Sequence, residues 1–78
     1  MPRLPSLSSR KIIRALLKNG FIEAPDRGKG SHRAFTKKTP AGKVLLVIVP
    51  QGKDIPRGTL FGILDEANIS SEDFLDLL

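Results

Sequence analysis

No cysteine occurs in the 78 residues, so disulfides, thiolate metal ligands and a sulfur nucleophile are excluded. Histidine occurs once, at position 32, which leaves too few ligands for an ordinary structural zinc site. Tryptophan and tyrosine are absent, and the four phenylalanines (21, 35, 61 and 74) stand where core residues belong. A stacking platform for the bases of a single strand is therefore not in view. The tightest apolar run, residues 44–49, is far too short to cross a bilayer. The opening Met1-Pro2-Arg3-Leu4-Pro5 lacks the apolar stretch of a signal peptide. The expectation is a cytoplasmic protein with no membrane contact and no cofactor.

Acidic residues are scarce in one half only. Residues 1–38 carry ten lysines and arginines against two acids, a balance of +8, whereas residues 39–78 carry three against six, a balance of −3. A basic half of this kind is the electrostatic footprint of a polyanion-binding protein. Without aromatic platforms, phosphate contacts are the expected mode.

The length implies one small domain, residues 1–78, with a modest core. After an irregular lead-in, Ser8 or Ser9 can cap a helix over 8–19. Ile12, Ile13, Leu16 and Leu17 form its apolar stripe, and Arg10, Arg14 and Lys18 fall at i, i+4 and i+8 on a cationic face. Gly20 suits the position just past the helix, with Phe21 folding back on the last turn. Strands are expected at 21–25, 31–38 and 43–49. The last is apolar on both faces, and two helices cannot cover both faces of so small a sheet. The spare face calls for the N-terminal arm, a second copy or a partner chain through the sheet. Pro56 suits the first turn of a helix over 57–67, and Ser70 caps a short one over 71–77. The fold class is α+β with a three-stranded antiparallel sheet, in the order α-β-β-β-α followed by a short extra C-terminal helix.

The densest chemistry lies at Lys29-Gly30-Ser31-His32-Arg33. Glycines let the backbone approach a ligand closely, and amides in such a turn can form an anion-holding concavity. Lys29 and Arg33 add attraction for phosphate, and histidine exchanges a proton readily near neutral pH. The same residues also suit an ordinary turn followed by a strand that begins with histidine. If the strand is regular, His32, Ala34, Thr36 and Lys38 share one face and Phe35 the other; a bulge near the glycines would change that parity.

Several pieces in this order resemble the HicA family of toxin ribonucleases, also known as YcfA-like mRNA interferases. They are the amphipathic helix ending Leu17-Lys18-Asn19-Gly20-Phe21, then Lys29-Gly30-Ser31-His32. Val49-Pro50 follows, then Gly58-Thr59-Leu60 with Ile63-Leu64, and finally Ala67-Asn68-Ile69-Ser70. The resemblance spans nearly the whole chain. It implies a double-stranded-RNA-binding-like fold, a catalytic role for His32, an mRNA substrate and a HicB-type antitoxin whose binding blocks the site. Two positions depart from the pattern. Many members have a second histidine where this chain has Arg33, and another where it has Gly52.

RNA can be cut without a metal when its own 2′-OH attacks the adjacent phosphate. The enzyme then needs a base, an acid and positive charge for the phosphorane. His32 can fill one of the first two roles; with one imidazole in the chain the other stays open. Lys29, Gly30, Ser31 and Arg33 would hold the phosphate, with Arg10, Arg14 and Lys18 extending the RNA path. The rival reading is a non-catalytic RNA-binding module of the same fold, with the same charge requirements. A third is a protein-interaction domain that uses the spare face of strand 43–49.

Overall fold

The side-chain oxygen of Ser8 accepts a hydrogen bond from the Lys11 amide, which opens helix α1 (Ser9–Lys18). Its far end closes in a Schellman arrangement: the Phe21 amide reaches Leu16 O at 3.0 Å and the Gly20 amide reaches Leu17 O at 3.1 Å. Phe21 is thereby folded back and fully buried. Lys37 strengthens the same end, its Nζ donating to the Asn19 carbonyl and to Asn19 Oδ1 at 2.8 and 2.9 Å. A cation suits the negative end of the helix dipole.

The structure, a computed structural model, describes Leu4 and residues 6–78. Residues 1–3 and 5 of the expected lead-in lie outside these. The order after α1 is β1 (Ile22–Glu23), a 3₁₀ turn (Pro25–Arg27), β2 (His32–Lys38), β3 (Val44–Pro50), α2 (Arg57–Ala67) and α3 (Ser71–Leu77). The three strands form one antiparallel sheet in the order β1-β2-β3. The first strand is shorter than the 21–25 expected from the sequence. Pro25 has no amide for the ladder and opens the 3₁₀ turn instead. The third strand starts one residue later than expected and takes in Pro50, which pairs with His32 at the sheet's end.

β2 and β3 pair without a bulge from His32 opposite Pro50 to Lys38 opposite Val44. Period-two alternation therefore sets Phe35, Val47 and Val49 on one face, where all three are buried. Both α1 and α2 pack on that side of β3. Leu4, Leu7, Ile12, Leu16, Phe21, Leu60, Leu64 and Phe74 complete the core. The N-terminal arm is spent here: Leu4 and Leu7 join the core, and the Ile55 amide donates to Leu7 O at 2.7 Å. The Cα envelope measures 31 × 30 × 18 Å, the thickness of two layers, one sheet and one tier of helices. Among the described residues no helix covers the opposite sheet face. Ile22 and Val44 on that face are 67% and 60% exposed, and Leu46 and Ile48 are half-buried.

Asn68 ends α2 in the left-handed conformation, φ 58° and ψ 40°. Ser70 then caps α3 by accepting from the Asp73 amide at 3.1 Å, and Glu72 and Asp73 in its first turn complement the dipole.

Two contacts fix the end of the sheet that carries His32. Gly28 lies so close to β2 that a Cβ there would sit 2.8 Å from His32 O and 3.3 Å from the Ala34 amide. Ser9 is the one buried polar side chain among the described residues. Its hydroxyl exchanges bonds with the Gly52 backbone at 3.2 Å, and its amide donates to Gly52 O at 3.0 Å. The Gln51 amide in turn donates to Ser31 O at 2.9 Å. The start of α1 is thus tied through two residues to the turn before His32. Ser9→Ala is expected to cost about 1 kcal/mol, the net worth of a neutral hydrogen bond. Thermal unfolding should then shift down by roughly 4–8 °C in a domain of this size. Gly28→Ala is expected to cost about 1–3 kcal/mol, because backbone rather than a flexible side chain must yield. Its amide NMR shifts should move at residues 29–34 and not across α2.

Candidate nucleic-acid interface

The turn before β2 is built by two reciprocal backbone bonds. The His32 amide donates to Lys29 O at 3.0 Å and the Lys29 amide donates to His32 O at 3.1 Å. Gly30 and Ser31 are the central residues of this two-residue hairpin turn. Gly30 has φ 58°, the left-handed value that such turns require at their first central position. The amides of Gly28 and Lys29 are spent within the chain, on Pro25 O and His32 O. Those of Gly30 and Ser31 have no backbone acceptor among the described residues.

His32 stands at the first position of β2, on the face opposite Phe35, and is exposed. Its Nδ1 lies 3.4 Å from Ser31 Oγ, the one side-chain hydrogen bond it makes among the described residues. Beside it is a cleft of about 190 Å³ lined by Glu23, Pro25, Gly28, Lys29, Gly30, His32, Arg33 and Ala34. The 3₁₀ turn packs against β2 here, and Ala34 is fully buried despite its outward parity.

Arg33 is held. Its Nε and Nη2 donate to the two carboxylate oxygens of Glu23 at 2.8 and 2.7 Å, and its Cζ lies 5.6 Å from the centre of the Phe35 ring. The hydrogen bonds from Arg33, followed by its charge, hold the Glu23 carboxyl below its ordinary range. The ion pair therefore persists above that range and is lost as pH falls through the lowered value. Both partners are exposed, so the pair fixes geometry between β1 and β2 more than it stabilises the fold. Nothing in the sequence singles out Glu23. Its pairing depends on the register that puts Glu23 opposite Phe35, two residues along from Arg33.

Arg10, Arg14 and Lys18 are all exposed along α1. Arg14 and Lys18 border two grooves. One, of about 290 Å³, is completed by Leu7, Lys11, Leu77 and Leu78; the other is completed by Arg10, Ile13 and Leu17. Lys18 Nζ donates to Leu77 O at 3.1 Å, so Arg10 and Arg14 are the less engaged cations of the stripe. The structure thus brings Lys29, Gly30, His32 and Arg33 to one cleft, with Ser31 beside the imidazole, and leaves the α1 stripe as a second surface. The two are linked at the Ser9 end of the helix through Gly52, Gln51 and Ser31.

No helix among the described residues is long and apolar enough to cross a membrane. No curated protein sequence matches the chain. The family model of the HicA toxin of bacterial toxin–antitoxin systems matches residues 9–69, from the first residue of α1 to the residue after Asn68, leaving α3 outside. That span takes in the three strands, the Gly30-Ser31-His32 turn and both helices that cover the core face, and the chain belongs to the HicA toxin family.

Proposed function

We propose that this toxin is a metal-independent endoribonuclease acting on mRNA, with His32 as its proton-transfer residue, and that a HicB-type antitoxin silences it by covering the site. One observation carries the reading. The single imidazole of the chain is exposed beside a cleft with a lysine and two unspent backbone amides. A histidine kept for packing would be buried or firmly bonded. His32 is neither: it is exposed, and its one side-chain hydrogen bond among the described residues is the 3.4 Å approach to Ser31 Oγ.

In the reaction, His32 takes the proton of the ribose 2′-OH as that oxygen attacks phosphorus. The P–O5′ bond breaks, giving a 2′,3′-cyclic phosphate on one side and a 5′-hydroxyl on the other. Lys29 and the amides of Gly30 and Ser31 face the charge that builds on the non-bridging oxygens. The site is open to solvent, so water is at hand to protonate the leaving O5′. Arg33 adds its charge only so far as Glu23 shares it. Arg10 and Arg14, with Lys18, hold phosphates further along the RNA.

Cleavage of a single-stranded mRNA fragment in EDTA tests this directly. The products should carry 2′,3′-cyclic phosphate and 5′-hydroxyl ends, and His32→Ala should slow the reaction by about 10²-fold or more while RNA binding and folding persist. A variant that cleaves like the parent removes His32 from the chemistry. RNA binding with no cleavage by either protein makes the chain a binding module.

The helix stripe has a separate readout. Replacing Arg10, Arg14 and Lys18 with glutamine should weaken RNA binding and flatten the log–log salt dependence by roughly 0.7–0.9 for each phosphate no longer neutralised. Arg10 and Arg14 should account for most of the change. An unaltered slope would reduce the stripe to a solubility device.

A further inference from the structure

β3 is an edge strand, and its free edge can be read from the ends of its ladder with β2. The Gln51 amide donates to Ser31 O at 2.9 Å and the Thr39 amide to Lys43 O at 2.7 Å. Both couples lie on the register of the ladder and mark hydrogen-bonded positions. Antiparallel pairs alternate between bonded and non-bonded, so Leu45, Val47 and Val49 bond to β2. Val44, Leu46 and Ile48 point their N–H and C=O groups the other way. No backbone hydrogen bond from another described segment reaches those groups. The same three residues put their side chains on the uncovered sheet face, with Ile22 two strands away and 67% exposed.

Edge strands are ordinarily blunted by a lysine, a proline or a bulge. Residues 44–49 contain none, and the ladder is unbroken until Pro50. An edge left open on an aliphatic face suits an added strand. Charge chooses the occupant. From Arg27 to Lys53 there is no carboxylate, and seven lysines and arginines occur. A second copy would set this cationic hairpin against itself. RNA finds no aromatic residue on β3 or at Ile22 to stack on, and aliphatic side chains offer phosphates nothing. The complement is a protein strand with alternating apolar residues and acidic ends.

We propose that the free edge and outer face of β3 are the docking site for an extended, acidic-flanked strand of the partner antitoxin. The added strand pairs with Val44, Leu46 and Ile48 and sets its own apolar side chains beside theirs on the outer face. It stops where Pro50 withholds an N–H. His32 is opposite Pro50, so the end of the added strand lies about 10 Å from the imidazole, two strand spacings away. A chain leaving the sheet there passes over the cleft. The site does not depend on whether His32 cleaves RNA.

The probe is the synthetic peptide Glu-Glu-Val-Thr-Val-Thr-Val-Glu-Glu, added to the full chain and followed by amide hydrogen exchange. In the free protein the amides of residues 44, 46 and 48 should exchange faster than those of 45, 47 and 49. Saturating peptide should slow the first set by about tenfold or more and leave the second nearly unchanged. Val44→Lys, at a side chain already 60% exposed, should keep the fold and weaken binding by about tenfold. His32→Ala should bind the peptide like the parent, so loss of cleavage and loss of docking are read apart. Four outcomes would overturn the proposal. They are no alternating protection, equal protection by a control with Ser and Gly in place of Val and Thr, protection by single-stranded RNA, and protection in the concentrated protein alone.

Discussion

The unbroken pairing of β2 with β3 is the constraint on which the rest depends. Its register puts Phe35 beside Val47 and under the helices, and a slip of β2 by one residue would exchange the two faces of that strand. Phe35 would then face solvent while Thr36 entered the core. The large cost of exposing a fully buried phenylalanine, about 3–5 kcal/mol by analogy with truncation, is comparable with the whole stability of a chain this size. Because the register is that firmly set, His32 is held outward by the core itself. Gly28 and the Ser9 hydroxyl only complete the placement, fixing the turn at the point where the ladder ends.

That dependence explains what the sequence disclosed. The amphipathic α1, the Gly20 cap, the strand at 44–49 and the outward parity of His32 all follow from local periodicity and from one bulky residue, Phe35, that must be inside. What stayed hidden was long-range. Ser9 reads as a second candidate cap, and its bond to Gly52 spans 43 residues. Leu4 and Leu7 sit in a proline-interrupted lead-in with no period to betray them, yet they are buried. Pro25 reads locally as the end of β1; that it opens a 3₁₀ turn which packs against β2 is a tertiary fact.

Among the described residues the two layers leave the outer face of β3 without a covering helix. A sequence could resolve that by making the outer face of β3 polar, as half-buried strands usually are. Here Val44, Leu46 and Ile48 keep it aliphatic while lysines crowd the strand's flanks. The stability of the isolated protein gains nothing from that arrangement, and its solubility loses. The pattern is intelligible for a member of a toxin–antitoxin family, where the toxin is built to spend time against another chain.

The cations near His32 are fewer than the sequence suggests. Arg33 stands where many relatives have a second imidazole, and its guanidinium is already satisfied on two sides by Glu23. Lys37 is committed to the end of α1. The Lys29 ammonium and the amides of Gly30 and Ser31 carry no hydrogen-bond partner among the described residues, whereas Arg33 is engaged in an ion pair that also ties β1 to β2. Loosening it is not costly, because exposed pairs contribute little. The departure at position 33 thus puts a guanidinium in place of an imidazole, and Glu23 holds it on the Phe35 side of the sheet.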